Sequence, residues 1–373
     1  MFYARIISGI IAFTAFIVSI SLSSRLPVPK HLLPKEDNST VKLSAVAFSY
    51  EGMQVQKIPL LLNGTKQTTA DGTEFVFQIA RKRQGTVLLI HGCSHSATDW
   101  FPASPGCRDC IGLPEEMRIV YISLLSGYSV VSVSSTDRKR KCWHTHPEAR
   151  LGSDYQRVDS ALLEAKNLGV HDSSKPLFVL GVSSGGLFAS SLPLRFYVDG
   201  VISIVSSSVV SLWTDEFFSS HAIYTPHVFT HMAYRDGRTA QMVASSISKL
   251  QRMGVPCIDF KVDPKAVTPE FLTDALSHLN RTVASEIVAA LNAAGHLDSV
   301  WRLISDPRGS SWRKALQHMR FQTGDTLVAD ASPLSEEMNR AWAGHEITSE
   351  YYAESLHFLE QSLRTHLQST VSD

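Results

Sequence analysis

The sequence lacks an excess of either charge. Its 373 residues contain 35 Lys and Arg against 35 Asp and Glu, so the formal net charge is zero at pH 7. A protein that holds a polyanion against salt screening needs a surplus of positive charge, so we expect no nucleic-acid partner. Charged residues amount to only 19% and hydrophobic residues to 44%. This composition excludes a disordered chain and predicts a sizeable packed core.

Cysteine is also scarce. The five cysteines are Cys93, Cys107, Cys110, Cys142 and Cys257. Only Cys107 and Cys110 form a Cys-x-x-Cys pair, which is half of a zinc site, and it lies among prolines rather than at the strand-to-helix junction of a redox motif. We interpret this pair as a local disulfide. Four of the five cysteines fall within fifty residues, so an oxidising compartment would favour bridges among them and leave one thiol unpaired.

Motifs for cofactors and metals are absent. Neither glycine-rich phosphate-binding pattern occurs, and the histidines at 91, 95, 144 and 146 lack a helix-borne i, i+4 pair with a carboxylate. We therefore expect no cofactor and no metal.

An uncharged run lies near the N-terminus, at residues 6–22, and is rich in Ile and Phe. It predicts a signal peptide or signal anchor over 1–24, followed by a linker at 25–41. The chain is then expected in the secretory pathway, secreted if the segment is cleaved, and lumenal or membrane-associated if it is retained. Asn38, Asn63 and Asn280 begin Asn-x-Thr sequons that could carry glycans in that compartment.

After the linker, the sequence first predicts strands joined by turns and then strands that alternate with helices. From about residue 43 to residue 80 it predicts three antiparallel strands, including 57–62 and 75–80, with turns at Asn63-Gly64 and Asp71-Gly72. Apolar runs then alternate with helical patterns. The predicted strands are 86–90, 129–133, 177–180 and 201–205, and the predicted helices are 114–125, 155–168 and 186–196. This order predicts an α/β fold with a mostly parallel, doubly wound sheet and antiparallel N-terminal strands.

One short motif indicates a catalytic serine. Gly181-Val182-Ser183-Ser184-Gly185 joins the strand at 177–180 to a helical segment, which is the context that makes G-x-S-x-G specific. A sharp turn there would expose the Ser183 hydroxyl, and side chains at Gly181 and Gly185 would collide with neighbouring backbone. The sequence predicts Ser183 as a nucleophile; the alternative is a small-residue turn that packs a helix on a strand.

Together with His91-Gly92-Cys93 at the end of an earlier strand, this motif resembles the α/β-hydrolase superfamily, over most of the chain after residue 40. The resemblance implies an oxyanion hole formed by the backbone N–H groups of Cys93 and Ser184. Cys93 as the nucleophile is a rival hypothesis, but it lacks the strand, turn and helix around Ser183.

In this superfamily an acid and a base follow the serine. The segment 228–236 resembles the late strand whose loop carries the acid, which implies Asp236. Asp263, which follows the last predicted strand at 255–262, is the alternative acid.

The base departs from the family pattern, because no His occurs from 255 to 277. His345 stands in a loop before a final amphipathic helix, where the family places its base, and His357 within that helix is the alternative. Residues 264–340 would then be a helical insertion in a hydrolase domain at 42–373, either a lid beside the site or an outward decoration. Trp301 and Trp312 are predicted apolar anchors of this insertion.

A narrower resemblance joins residues 91–96, 107–116, 332–337 and 343–346 to a poorly characterised plant and protist group of α/β-hydrolase-like proteins. It indicates that the C-terminal part belongs to the same domain.

These observations predict a serine hydrolase that cleaves a small-molecule or lipid-like acyl ester through a Ser-Asp-His triad and an acyl-enzyme. Two alternatives stay open: a catalytically inactive hydrolase-fold binding protein of the secretory pathway, and an acyltransferase. The sequence carries no signal for an oligomeric state.

Overall fold

The computed structural model describes residues 61–145, 153–211, 225–319, 327 and 332–371. The predicted signal segment at 1–24, the linker at 25–41 and the sequon at Asn38 lie outside these residues, as does most of the predicted strand at 57–62. Within the described residues, eight strands form one sheet in the order β1-β2-β4-β3-β5-β6-β7-β8. The strands are β1 (Thr65–Thr68), β2 (Glu74–Gln78), β3 (Gly85–Ile90), β4 (Tyr128–Val133), β5 (Leu177–Val182), β6 (Gly200–Ile204), β7 (His227–His231) and β8 (Cys257–Lys261).

The helices follow the strands along the chain. They are α1 (Pro114–Leu125), α2 (Ser153–Asn167), α3 (Ser184–Ala189), α4 (Gly237–Arg252), α5 (Pro269–Ala275), α6 (Arg281–Ala293), α7 (Trp312–Ala315), α8 (Pro333–Trp342) and α9 (Tyr352–Val371). The predicted helix at 186–196 is too long. It stops at Ala189, and a short 3-10 turn over Leu192–Leu194 follows, because Pro193 cannot continue the hydrogen bonding of an α-helix.

The sheet opens with antiparallel pairing, as predicted. β1 pairs with β2 and β2 pairs with β4, both antiparallel, and the turn at Asp71-Gly72 joins the first two strands with Gly72 at a φ of 78°. The turn predicted at Asn63-Gly64 joins no two strands in the described part of the chain. The carbonyl oxygen of Gly64 accepts the Ser104 hydroxyl at 3.1 Å, and strand pairing begins only at Thr65. Leu61 and Leu62, at the end of the predicted strand 57–62, are therefore not in a strand.

From β4 to β8 across the sheet, every neighbouring pair of strands is parallel. Adjacent residues of a strand point to opposite faces, so a strand covered on both faces must be apolar throughout. In β3, Val87 and Leu89 join the core with α1 and α9, whereas Leu88 and Ile90 join the core with α2 and α3. The predicted mostly parallel, doubly wound α/β sheet is confirmed, and it is the architecture that the resemblance to the α/β-hydrolase superfamily implies.

Four helices, α5 to α8, lie in or extend from the segment predicted as an insertion, and they share a separate hydrophobic core. Trp312 and Leu316 are fully buried in that core. The prediction for Trp301 is wrong, because its side chain is 44% exposed. Its backbone has a φ of 63° in the turn between the paired residues Leu297 and Leu303. The last helix of the segment, α8, ends at Trp342, three residues before His345.

None of the helices in the described ranges combines the length and the apolar character that crossing a bilayer demands.

Candidate active site

A strained turn at the end of β5 holds Ser183. The residue has φ 52° and ψ −116°, and α3 begins at the next residue. A Cβ atom on Gly181 would lie 2.2 Å from the carbonyl oxygen of Gly185, and one on Gly185 would lie 2.3 Å from the carbonyl oxygen of His91. Both positions therefore exclude any side chain, which explains why this sharp turn needs glycine two residues before and two residues after Ser183.

Two hydrogen bonds link Ser183 to His345 and Asp236. The distance from Ser183 Oγ to His345 Nε2 is 2.8 Å, and the distance from His345 Nδ1 to Asp236 Oδ2 is 2.6 Å. Asp236 Oδ1 accepts the backbone N–H of Thr239 at 3.1 Å, at the start of α4. Burial opposes ionisation of Asp236, but the hydrogen bonds from Thr239 and His345 outweigh it and lower the pKa of the carboxyl. An ionised Asp236 can hold a proton on His345 Nδ1, which leaves Nε2 free to take the hydroxyl proton of Ser183.

The structure does not bring the alternative acid and base to Ser183. Asp263 is exposed, two residues beyond β8, and has no hydrogen bond or ion pair in the part of the chain that the structure describes. His357 is exposed on α9, where its Nε2 lies 2.8 Å from Gln361 Nε2. Both side chains are therefore ordinary surface residues in the described structure, and neither contacts Ser183.

The two N–H groups predicted to form an oxyanion hole lie on neighbouring turns. Cys93 lines the same cavity as Ser183, and Ser184 is the first residue of α3. Neither backbone N–H donates a hydrogen bond to another described residue. Such free N–H groups are what a developing oxyanion requires.

A disulfide to Cys142 constrains the turn at Cys93. This bond also argues against Cys93 as a nucleophile, since its sulfur is already paired. The Ser184 hydroxyl lies 3.2 Å from Cys93 Sγ and accepts the backbone N–H of Trp143 at 3.5 Å. The backbone N–H of Ser94 donates to the carbonyl oxygen of Arg140 at 2.9 Å. The loop before Trp143 is therefore attached to both turns that carry the free N–H groups.

The predicted disulfide, Cys107–Cys110, is present, and Cys257 has a free thiol. The grouping of four cysteines indicated bridges in this region, but the sequence did not identify Cys142 as the partner of Cys93.

His91, which begins the turn to Cys93, is a neutral structural residue. It is fully buried, its Nδ1 donates to the carbonyl oxygen of Gly92 at 2.6 Å, and its Nε2 accepts the backbone N–H of Ser135 at 3.1 Å. Burial lowers its pKa to about 4. Both ring nitrogens therefore fix backbone, and the ring of Trp143 packs against it with 5.2 Å between centroids.

The loop that carries His345 is fastened by Arg308, a residue that the sequence did not identify. Its guanidinium donates to the carbonyl oxygen of His345 at 2.8 Å and to Glu346 Oε2 at 2.7 Å. Glu346 Oε1 in turn accepts the backbone N–H of Ile347 at 2.9 Å. The predicted insertion thus supplies the side chain that orients the proposed base.

Glu115 fastens the far end of the same loop. It is fully buried, and its Oε2 accepts the backbone N–H and the hydroxyl of Ser349 at 2.5 and 2.8 Å. Arg118 and Arg340 lie 2.5 and 3.5 Å from its Oε1. Burial raises the pKa of Glu115, but the two guanidinium groups and Ser349 lower it further than burial raises it. These contacts join α1 to α8, so they explain why the segments at 107–116 and 332–337 lie together.

A cavity of about 450 Å³ opens beside Ser183 and His345. Its walls come from the sheet edge, from Asp306 and Arg308 of the predicted insertion, and from Trp342 at the end of α8. The volume is within the range of small-molecule sites. In the described ranges, no group of three or more His, Cys, Asp or Glu side chains is arranged to hold a metal ion.

Comparisons with known proteins find only distant structural similarity. No protein-family model matches the sequence, and no curated protein matches it. Among solved structures, MGS-M1, an alpha/beta hydrolase enzyme from a Medee basin deep-sea metagenome library, is 12% identical with a TM-score of 0.37 over 62% of this chain and 94% of that chain. The Pyrococcus furiosus esterase Pf2001 is 15% identical with a TM-score of 0.35, over 54% of this chain and 83% of its own. The Bacillus cereus carboxylesterase is 13% identical with a TM-score of 0.37, over 51% and 84%. The strand order and the strained turn define the fold here independently of these low scores.

Proposed function

We propose that this protein is a serine hydrolase that cleaves carboxylic esters through an acyl-enzyme. The observation that carries the proposal is the pair of hydrogen bonds at 2.8 and 2.6 Å that join Ser183, His345 and Asp236 at a strained turn. The turn, the hydrogen bonds and the adjacent cavity form the set that acyl transfer needs: a nucleophile, a base, an acid and room for a substrate.

The reaction begins when Ser183 Oγ attacks the carbonyl carbon of the ester and His345 Nε2 takes the hydroxyl proton. Asp236 stabilises the imidazolium through its bond to Nδ1. The N–H groups of Cys93 and Ser184 donate to the oxyanion, and each such donor contributes about 3–4 kcal/mol to acyl transfer. The bond to the alcohol oxygen then breaks as His345 returns the proton to that oxygen.

Water completes the cycle. His345 removes a proton from a water molecule, whose oxygen attacks the acyl carbon, and the bond to Ser183 Oγ breaks as the serine regains a proton. The carboxylic acid leaves and the free enzyme is restored. A catalytically inactive binding protein would not require the close contact between Ser183 and His345.

Hydrolysis of 4-nitrophenyl acetate and butyrate tests the proposal. We expect activity in the unchanged protein and its loss in Ser183→Ala. His345→Ala should lower kcat by about 10³-fold or more, since it removes the base, whereas the matched exchange His357→Ala should leave kcat unchanged. Equal losses in the two histidine variants would refute the assignment of the base.

The acid is tested in the same assay. Asp236→Asn keeps the shape of the side chain but no longer holds the proton on His345 Nδ1, so kcat should fall by about 10⁴-fold. Asp263→Asn is the matched control, because Asp263 is exposed and lies outside the triad, and it should retain full activity. Full activity in Asp236→Asn would contradict the proposed mechanism.

We further propose that the chain passes through the secretory pathway. The two disulfides support this proposal, because such bonds persist in oxidising compartments. Asn63 and Asn280 are exposed and available to a glycan, although Asn280 Oδ1 also caps α6 by accepting the N–H of Val283. Endoglycosidase treatment of protein from a eukaryotic host should lower its mass. An unchanged mass together with recovery in the cytosolic fraction would refute this proposal.

A further inference from the structure

Arg235, a cation that lines the cavity, has no carboxylate partner among the described residues. Arg235 lies in the loop after β7, directly before Asp236, and lines the cavity that contains Ser183. Its guanidinium carbon is 3.4 Å from the centroid of the Trp342 ring and 5.4 Å from that of Tyr234. Among the residues that the structure describes, no Asp or Glu lies within ion-pair distance of Arg235.

Most other charges that line the cavity are already compensated. Asp236 is bonded to His345, and Glu346 is 2.7 Å from Arg308. Asp306 is exposed, and its Oδ1 accepts the backbone N–H of Arg308 at 2.9 Å. Arg235 therefore contributes a positive charge that no residue in the described ranges neutralises by direct contact.

His95 also lines the cavity, and two carboxylates compensate its charge. Its Nδ1 lies 3.1 Å from Asp99 and 3.7 Å from Glu116. Burial opposes protonation, but the hydrogen bond with Asp99 and the charges of Glu116 and Asp99 outweigh it and raise the pKa of His95 to about 9. His95 is therefore protonated at neutral pH, with its Nδ1 occupied by Asp99 and its Nε2 without an acceptor in the described structure.

The geometry of Arg235 suits an anionic ligand. Stacking on Trp342 occupies the face of the guanidinium and restricts its orientation, but the N–H groups at the edge donate to no other residue in the part of the chain described. Two of these N–H groups match the two oxygens of a carboxylate, and such charge-assisted pairs are stronger and more directional than neutral hydrogen bonds.

We propose that Arg235 selects substrates, and that the preferred ester carries a carboxylate group which Arg235 binds while Ser183 attacks the ester carbonyl. This inference rests on the proposed hydrolase function. Arg235 acts as a specificity-determining residue, and Trp342 positions its guanidinium. The carboxylate belongs to either the acyl or the alcohol half of the ester, and the substrates chosen below distinguish the two.

Two matched pairs of esters test the proposal. For the alcohol half, 4-acetoxybenzoate is compared with the neutral 4-acetoxybenzamide. For the acyl half, the mono-4-nitrophenyl ester of adipic acid is compared with the neutral 4-nitrophenyl methyl adipate. The measured quantity is the ratio of kcat/KM for the charged ester to kcat/KM for its neutral partner. This ratio is insensitive to a general loss of folded or active protein.

We expect the unchanged protein to prefer the charged ester in at least one pair. Arg235→Gln should lower that ratio by about tenfold, because it removes a charge-assisted contact. Arg235→Lys, which keeps the charge but loses the planar pair of donors, should retain part of the preference. Arg238→Gln is the matched control, since Arg238 is exposed on the first turn of α4 and does not line the cavity; its ratio should equal that of the unchanged protein.

Failure of this inference differs from failure of the proposed function. If the neutral esters are hydrolysed but no pair shows a preference for the charged member, or if Arg235→Gln leaves the preference intact, the role of Arg235 is refuted and the hydrolase proposal stands. If none of the four esters is hydrolysed and Ser183 does not react with a fluorophosphonate, the hydrolase proposal itself is refuted and the role of Arg235 falls with it.

Discussion

Replacing Gly185 with Ala tests how tightly the turn at Ser183 is constrained. A Cβ atom at this position would lie 2.3 Å from the carbonyl oxygen of His91 and 2.5 Å from that of Ile90. Both atoms are backbone and have no rotamer to change, so the separations must grow by about 1 Å to reach ordinary contact. Overpacking of this kind costs about 1–3 kcal/mol of stability.

The movement would occur at the end of β3, which leads into the turn that carries the Cys93 N–H. A misplacement of about 1 Å in a reacting constellation can lower the rate by about 10²-fold. We therefore expect Gly185→Ala to lower both the free energy of unfolding, measured in urea, and kcat for 4-nitrophenyl acetate, by about these amounts.

Gly237→Ala is the matched control for this substitution. A Cβ atom there would meet no atom within 4 Å, and Gly237 is the first residue of α4. Alanine at such a position stabilises a protein by roughly 0.4–1 kcal/mol, chiefly by restricting the unfolded chain. Unchanged stability and unchanged kcat in Gly185→Ala would refute the steric account of the turn.

Two further predictions concern the turn that carries Cys93. Replacing both Cys93 and Cys142 with Ser should lower kcat about tenfold or more with little change in KM, because the turn loses its link to the neighbouring loop; the matched double exchange of Cys107 and Cys110 should keep kcat, and equal losses in the two would contradict this role. His91 is neutral when folded and has a pKa of about 4, below the ordinary 6.5, so its contribution to stability is present above pH 6.5 and is lost as the pH falls towards 4. Urea unfolding at pH 7 and pH 5 should show a loss of about 2 kcal/mol from this group, and His91→Gln should reduce the pH dependence; the same dependence in both proteins would contradict the assignment.

The regular part of the fold could be predicted from local patterns. The helix over 114–125 has the predicted bounds, because Pro114 begins it and Gly127 follows it in a left-handed conformation. The parallel strands are also correct to within two residues, because continuous apolar runs are typical of strands covered on both faces. Two predictions fail where tertiary packing outweighs the local pattern. Leu61 is not in a strand, and Trp301 is exposed because it lies in a turn that the apolar pattern does not reveal.

Some residues of the candidate site could be predicted from their neighbours in the sequence, and others could not. Ser183 could be predicted from adjacent residues, because the turn that exposes it needs Gly181 and Gly185 on either side. Asp236 and His345 could be proposed only through the resemblance to a known superfamily. They lie 53 and 162 residues beyond Ser183, and no spacing rule links them.

The supporting residues of the site carried no local signal of their role. Glu115 reaches Ser349 across 234 residues, and Arg308 reaches His345 across 37. Arg235 and Trp342 meet only because α8 packs beside the loop after β7. Such contacts depend on how distant segments dock, which residue type and short-range spacing do not specify.

Labelling of the intact protein with a fluorophosphonate, read by mass spectrometry of its peptides, tests whether Ser183 is an activated nucleophile. We expect one adduct, on Ser183, formed in the folded protein and absent from Ser183→Ala and from urea-unfolded protein. Labelling should slow strongly in His345→Ala, since the hydroxyl then has no base. Folded protein without an adduct on Ser183, or with labelling that is independent of His345, would contradict the proposed roles of these two residues.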